Sequence, residues 1–257
     1  MKNLLCGLLG AAWLLTAAFP VAAPAAADEA TTAGDFTAAQ EEAIGRIVRE
    51  YLLENPEVLV EALNAYEARQ QQVAEERQRQ AVVAHQSALA DDGMSPVLGN
   101  PEGDVVIVEF FDYRCPYCKK VADDLLKTVE KDGGVRLVMK EFPILGPDSI
   151  YAARAALAAD KQGRYKEFHF ALMDINGQID EPAVMAVAKL LDLDIAQLEQ
   201  DMASDEIELA LRRNYELAEA LEIGGTPAFV VGDTLVPGAV DMSTLEELIA
   251  RIRAKAS

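Results

Sequence analysis

Residues 104–142 constrain the fold more than any other stretch. Two apolar runs, DVVIVEFF (104–111) and GGVRLVMKEF (133–142), flank a segment that opens on Cys-Pro-Tyr-Cys at 115–118. Apolar runs rich in β-branched and aromatic residues, with little polar alternation, predict strands buried on both faces. A helix from the cysteines to about Lys131, set between two such strands, makes a βαβ unit with a right-handed crossover. The chain is therefore expected in the α/β class, with this unit at the heart of its sheet.

The chain beyond this unit is mostly helical, from about 148 to 221. It includes the Ala-rich SIYAARAALAAD, a Pro-started helix at EPAVMAVAKLL and the long DEIELALRRNYELAEAL. GGTPAFVVGDTLVPG then reads as two short strands joined at Gly-Asp. DMSTLEELIARIRAKA closes the chain as an amphipathic helix, with a capping box expected at Ser243 or Thr244.

Upstream lie two helices of different character. Thr37 and Gln40 have capping-box spacing, and Ile44, Ile47, Val48, Tyr51 and Leu52 then line one helical face. ENPEV interrupts that helix, with Asn55 as a cap and Pro56 as the first position of the next helix. The second helix carries Val58, Leu59, Ala62, Leu63 and Tyr66 on one side, turns polar, and is expected to run to about Leu89. DDGMSP (91–96) reads as a hinge. A segment of this size cannot bury its stripes alone. Residues 28–90 thus form an arm that packs either on a copy of itself or back on its own domain. No clean heptad repeat supports a long coiled coil.

The N-terminus has the layout of a secretory signal peptide over residues 1–27. Lys2 precedes the apolar LLCGLLGAAWLLTAAF, and small residues follow at A-x-A spacing, with cleavage expected after Ala27. An uncleaved anchor is the alternative, although the run is short for a bilayer span. Export implies an oxidising compartment, the periplasm, and cleavage would remove Cys6, leaving Cys115 and Cys118 as the only thiols. The full chain carries a formal charge of −20, which argues against nucleic acid as a partner.

A C-x-x-C beside a βαβ pattern is a thioredoxin-like redox motif. Pro116 suits the first turn of a helix, which sets Cys115 at the helix N-terminus, where free N–H groups and the macrodipole favour a thiolate. Cys115 is then an exposed nucleophile of lowered pKa. Cys118, one turn on, is close enough for a disulfide, and Lys119 and Lys120 would add positive charge. Zinc would need four ligands, and His85 and His169 lack the spacing to complete a site, so both read as solvated or packed helix residues. A purely structural disulfide would close too short a loop to stabilise much. Copper(I), which soft thiolates suit, is the alternative from another functional class. Glu109, six residues before Cys115, is a charge inside an apolar strand. Either it is buried, with a raised pKa and a proton to exchange with Cys118, or it faces water on an edge.

VEFFDYRCPYCKK, the helical insert and GGTPAFVVG followed by the last helix together resemble the DsbA-like branch of the thioredoxin superfamily, over about Val97 to Ser257. The resemblance implies a thioredoxin fold with an inserted helical domain, preceded here by the α-helical arm. It implies Cys115 as nucleophile, Cys118 as resolving thiol, a redox disulfide between them, and Glu109 as the buried acid. It further implies a cis Pro227 against the cysteine pair, with Thr226 offering backbone hydrogen bonds to an extended substrate. No separate cofactor is implied, and the expected partners are proteins bearing thiols or disulfides and a membrane redox protein. LLENPEVLVEAL resembles the arm of ScsC-type proteins, in which the arm can drive trimer formation and the trimer can act as a disulfide isomerase. The dipeptide Pro116-Tyr117 lacks the histidine of the best-known oxidases, and with it one charge that would hold the thiolate.

Overall fold

A computed structural model describes residues 36–256; the expected signal peptide and cleavage site lie outside the described residues. The chain divides into two compact units, with the division between Ala62 and Leu63.

The N-terminal unit holds α1 (Ala38–Glu54) and the start of α2 (Glu57–Ala84). Thr37 and Gln40 form the expected capping box. Asn55 does not cap α2: its side-chain amide donates to the Tyr51 carbonyl at 2.9 Å, closing the end of α1 instead. No residue of α1 is buried, and Ile44, Ile47, Val48, Tyr51 and Leu59 are exposed.

The second unit is built on a five-stranded sheet: β1 (Val97–Gly99), β2 (Val105–Phe111), β3 (Val135–Glu141), β4 (Ala228–Val231) and β5 (Thr234–Pro237), in the order β1-β3-β2-β4-β5. β2 and β3 are parallel and every other pairing is antiparallel. The parallel pair is joined through α4 (Pro116–Asp132), as the sequence pattern requires. The sequence pattern does not predict β1, because three residues carry no readable alternation. Gly232, at φ +64°, turns the β4–β5 hairpin.

β2 is central, and its apolar run is explained by cover on both faces. Ile107 and Phe111 lie in one core with Leu125 and Val129 of α4 and Leu245 of the last helix, α10 (Met242–Ala256). Val108 and Phe110 lie in a second core with Leu217, Ala218 and Leu221. Leu217 and Ala218 belong to α9 (Asp205–Ala220). The insert consists of α5 (Pro147–Lys161), α6 (Tyr165–Met173), α7 (Glu181–Leu190), α8 (Ile195–Met202) and α9. The alanines of α5 are its buried surface, and small side chains there let α6, α7, α8 and α9 all pack against it. α10 starts at Met242, so Ser243 and Thr244 fall inside its first turn and do not cap it.

Two boundaries differ from expectation. The long second helix ends at Ala84, breaks at half-buried His85 and resumes as α3 (Gln86–Ala90). Val82 and Leu89 are buried in the second core of the sheet, so the final turns of the expected arm belong to the body of the second unit. The expected hinge, 91–96, is a tied turn. Asp92 accepts from the Met94 and Ser95 N–H groups, from Ser95 Oγ, and from Lys140 Nζ at 2.6 Å. Lys140 is fully buried, and a buried ammonium requires such a partner.

Candidate active site

The site begins where β2 ends. Asp112, Tyr113, Arg114 and Cys115 form a turn in which the Cys115 N–H donates to the Asp112 carbonyl at 3.0 Å. The Asp112 carboxylate is buried and holds the turn from inside. It accepts from the Arg114 N–H (2.7 Å), Ser149 Oγ (2.8 Å) and the Leu145 N–H (2.9 Å). Cys115 is the N-cap of α4 and Pro116 opens the helix.

Both cysteines are free thiols, so the geometry is that of the dithiol form. Their acidities diverge sharply. Cys115 is pulled down from 9.0 to about 5. The hydrogen bond from the Cys118 thiol is the largest cause; burial opposes it, and the Thr226 side chain and the Cys118 and Tyr117 N–H groups reinforce it. These N–H groups are the unpaired donors of the first helical turn. Cys118 moves the other way, raised first by burial, then by its bond to Cys115 and by Glu109. An asymmetric pair results, with one sulfur ready to carry charge and its neighbour holding its proton.

Thr226-Pro227 is a cis peptide, and the Thr226 carbonyl lies 3.2 Å from Cys115 Sγ, accepting from the thiol. Thr226 therefore acts in two senses: its side chain favours the thiolate and its carbonyl favours the thiol. Cys115 is only 4% exposed, in contrast to the open nucleophile expected. The reason is its packing in the larger core and its contact with the Thr226 backbone. Pro116 and Tyr117, the latter 61% exposed, are the residues of the motif that face solvent.

Glu109 lies in central β2, not on an edge, and is buried. Burial, and secondarily the Cys115 charge, raise its carboxyl to about 8. Lys119 does not lend its charge to the sulfurs as expected. Its ammonium donates to the carbonyls of Leu172, Met173 and Ile175 at the end of α6. Lys120 is exposed. His169 is buried and neutral, its imidazole pushed by burial to about 3. Among the described residues, no group of three or more His, Cys, Asp or Glu side chains could hold a metal ion.

Sequence reasoning misses Asp112, and it misses a buried cluster of Tyr113, Glu141, Tyr165 and His169. Glu141 is detectable by the criterion that singles out Glu109, a carboxyl inside an apolar strand.

A thioredoxin sheet carrying a helical insert, with a Cys-Pro-Tyr-Cys turn against a cis-proline loop, defines the thioredoxin-fold class with a dithiol site. Residues 106–250 match the DSBA-like thioredoxin domain family, and the chain belongs to that family. Residues 40–72 match the copper resistance protein ScsC N-terminal domain. Among solved structures, Proteus mirabilis ScsC in a transitional conformation is 34% identical, with a TM-score of 0.65, covering 86% of this chain and 100% of that one. A thioredoxin-like oxidoreductase from Silicibacter pomeroyi DSS-3 is 48% identical, with a TM-score of 0.64, covering 65% of this chain and 97% of that one. Na(+)/H(+) antiporter NhaA 1 of Salinispora arenicola is 26% identical over 161 residues, 62% of this chain, and the chain spans only 25% of that relative's length.

Proposed function

We propose that the protein is an exported protein thiol–disulfide oxidoreductase, working in the periplasm on disulfides of other proteins. The observation that carries this reading is the divergence of the two thiols, with Cys115 at the N-cap of α4 drawn to about 5 and Cys118 raised. Family membership supports the same chemistry.

In the reducing direction, the Cys115 thiolate attacks one sulfur of a substrate disulfide. That S–S bond breaks, a mixed disulfide forms, and the displaced substrate sulfur leaves as a thiolate that takes up a proton. Cys118 then loses its proton and attacks Cys115 Sγ, and the second substrate sulfur departs. The substrate disulfide has gained two electrons and Cys115–Cys118 has become the disulfide; the reverse sequence oxidises a substrate dithiol. Glu109 is suited to the middle step. Its raised value owes part to the Cys115 charge, and the mixed disulfide removes that charge. The carboxyl then ionises more readily when Cys118 needs a proton acceptor. Thr226 would pair its backbone with an extended substrate, and Pro227 and Tyr117 would border the contact.

The arm, through its exposed stripe, is proposed to assemble the chain into a homotrimer. Several sites on one assembly favour rebinding of a mispaired client, which suits an isomerase kept reduced by a membrane redox partner. Cys115→Ser tests the core of the reading in an assay that refolds a scrambled disulfide protein. Turnover should fall to background; turnover at the normal rate would sink it.

A further inference from the structure

The buried cluster behind the active-site turn has no part in the exchange chemistry of the two thiols. Glu141, the last residue of β3, is 1% exposed. Its Oε1 accepts from the Tyr113 hydroxyl at 2.8 Å and from the Tyr165 hydroxyl at 3.0 Å. Its Oε2 is buried with no hydrogen-bond partner. The Tyr113 oxygen also lies 3.1 Å from His169 Nδ1. His169 stacks on Tyr165 and meets Phe111 and Tyr113 edge-on.

This arrangement is an expensive way to fill space. An aliphatic side chain would occupy the volume without an orphan oxygen, and a buried acceptor left unpaired is destabilising. Burial raises the Glu141 carboxyl well above its ordinary value; the hydrogen bonds from the two phenols oppose this, and the Asp112 and Glu109 charges add to it. What the carboxyl achieves is a grip on one residue. Tyr113 is the first central residue of the turn whose Asp112 carbonyl receives the Cys115 N–H, the turn that delivers Cys115 to α4. Asp112 fastens that turn on one side, through Ser149 and Leu145. The Tyr113 phenol fastens it on the other, to Glu141 of β3 and to His169 of α6.

We propose that Glu141 is a positioning residue for Cys115, fixing the 112–115 turn through the Tyr113 hydroxyl so that the sulfur sits against Cys118 and Thr226. This rests on the thiol–disulfide reading of the site. The carboxyl acts by accepting from both phenols, so an amide of the same shape should replace it.

The test is titration of Cys115 in the full reduced chain by ultraviolet thiolate absorbance, with the rate of attack on a small disulfide and the melting temperature measured alongside. Glu141→Leu should raise the Cys115 pKa by roughly one unit, which is about tenfold less thiolate at pH below that value, and slow attack in proportion. Glu141→Gln should stay within about twofold of wild type, because its carbonyl still accepts from both phenols. Tyr113→Phe keeps the ring and loses the hydroxyl, and should shift the titration in the same direction as Glu141→Leu by a smaller amount. A merely structural role would lower the melting temperature of Glu141→Leu and leave its Cys115 titration in place, and that result overturns the proposal. If Glu141→Leu does not fold, Tyr113→Phe decides: a wild-type titration there overturns it equally. Exchange activity surviving in Cys115→Ser would sink the functional reading alone, since Cys115 titration in Glu141→Leu still reports on positioning.

Discussion

Glu109 and Glu141 lie two strand positions out of step on β2 and β3, since Glu109 pairs with Met139 and Phe111 with Glu141. The Glu109 charge is one of the influences that raise the Glu141 carboxyl. Glu109, at about 8, titrates near neutrality, and burial holds Glu141 well above its ordinary value. Glu109→Gln should therefore slow resolution of the mixed disulfide at least roughly tenfold and flatten its rise with pH on the acid side of 8. Rapid acid quenching of the mixed disulfide formed with a peptide substrate measures both, and an unchanged pH profile would remove Glu109 from the mechanism. At this scale the sequence is informative where a residue violates its local pattern. Glu109 stands alone in an apolar run, and the cysteines flank a proline suited to a helix start. It is mute where the cause is distant. Asp92 reaches Lys140 across 48 positions, and Asp112 reaches Ser149 across 37, with nothing local to mark either pair.

Among the elements, strands and helices with strong periodicity are legible, and their ends are less so. β2 and β3 announce themselves through residues buried on both faces; β1, with three residues, cannot. The end of α2 misleads for a different reason. EARQQQVAEERQRQ is polar enough to read as a free arm, yet Val82 and Leu89, spaced beyond it, are core residues of the second unit. This bears on how the arm should be removed. Deletion of residues 36–72, which spans the matched N-terminal domain, leaves both core residues in place. The remaining body should keep its exchange of small disulfides and its melting temperature within a few degrees, while its mass in solution drops to that of one chain and isomerase activity is lost. Light scattering and scrambled-protein refolding test this; an assembly of unchanged mass would refute the arm's role. Deletion through residue 90 is a different experiment, because losing buried Val and Leu side chains costs about 2–5 kcal/mol for each large one and would confuse misfolding with loss of assembly.

For the whole molecule, the acidity of one thiol contributes to stability. Cys115 is depressed from 9.0 to about 5, so its contribution to the folded dithiol form is full above the ordinary thiol value, declines as pH falls from there, and is gone below about 5. The disulfide form has no such group. The stability of the reduced protein relative to the oxidised one should thus fall by up to about 1.4 kcal/mol per pH unit between 9 and 5. Denaturant unfolding of both forms across that range measures the difference; a gap independent of pH would contradict the depressed thiol. Among the described residues no helix is long and apolar enough to cross a membrane. The 4% exposure of Cys115 has its own consequence. A sulfur roofed by the Thr226 carbonyl is a narrow doorway. A loose strand can slide its cystine through it edge-on, but a rigid globule with its cystines tucked inside cannot. On the proposed reading, an unfolded client would reach that sulfur more readily than a finished one.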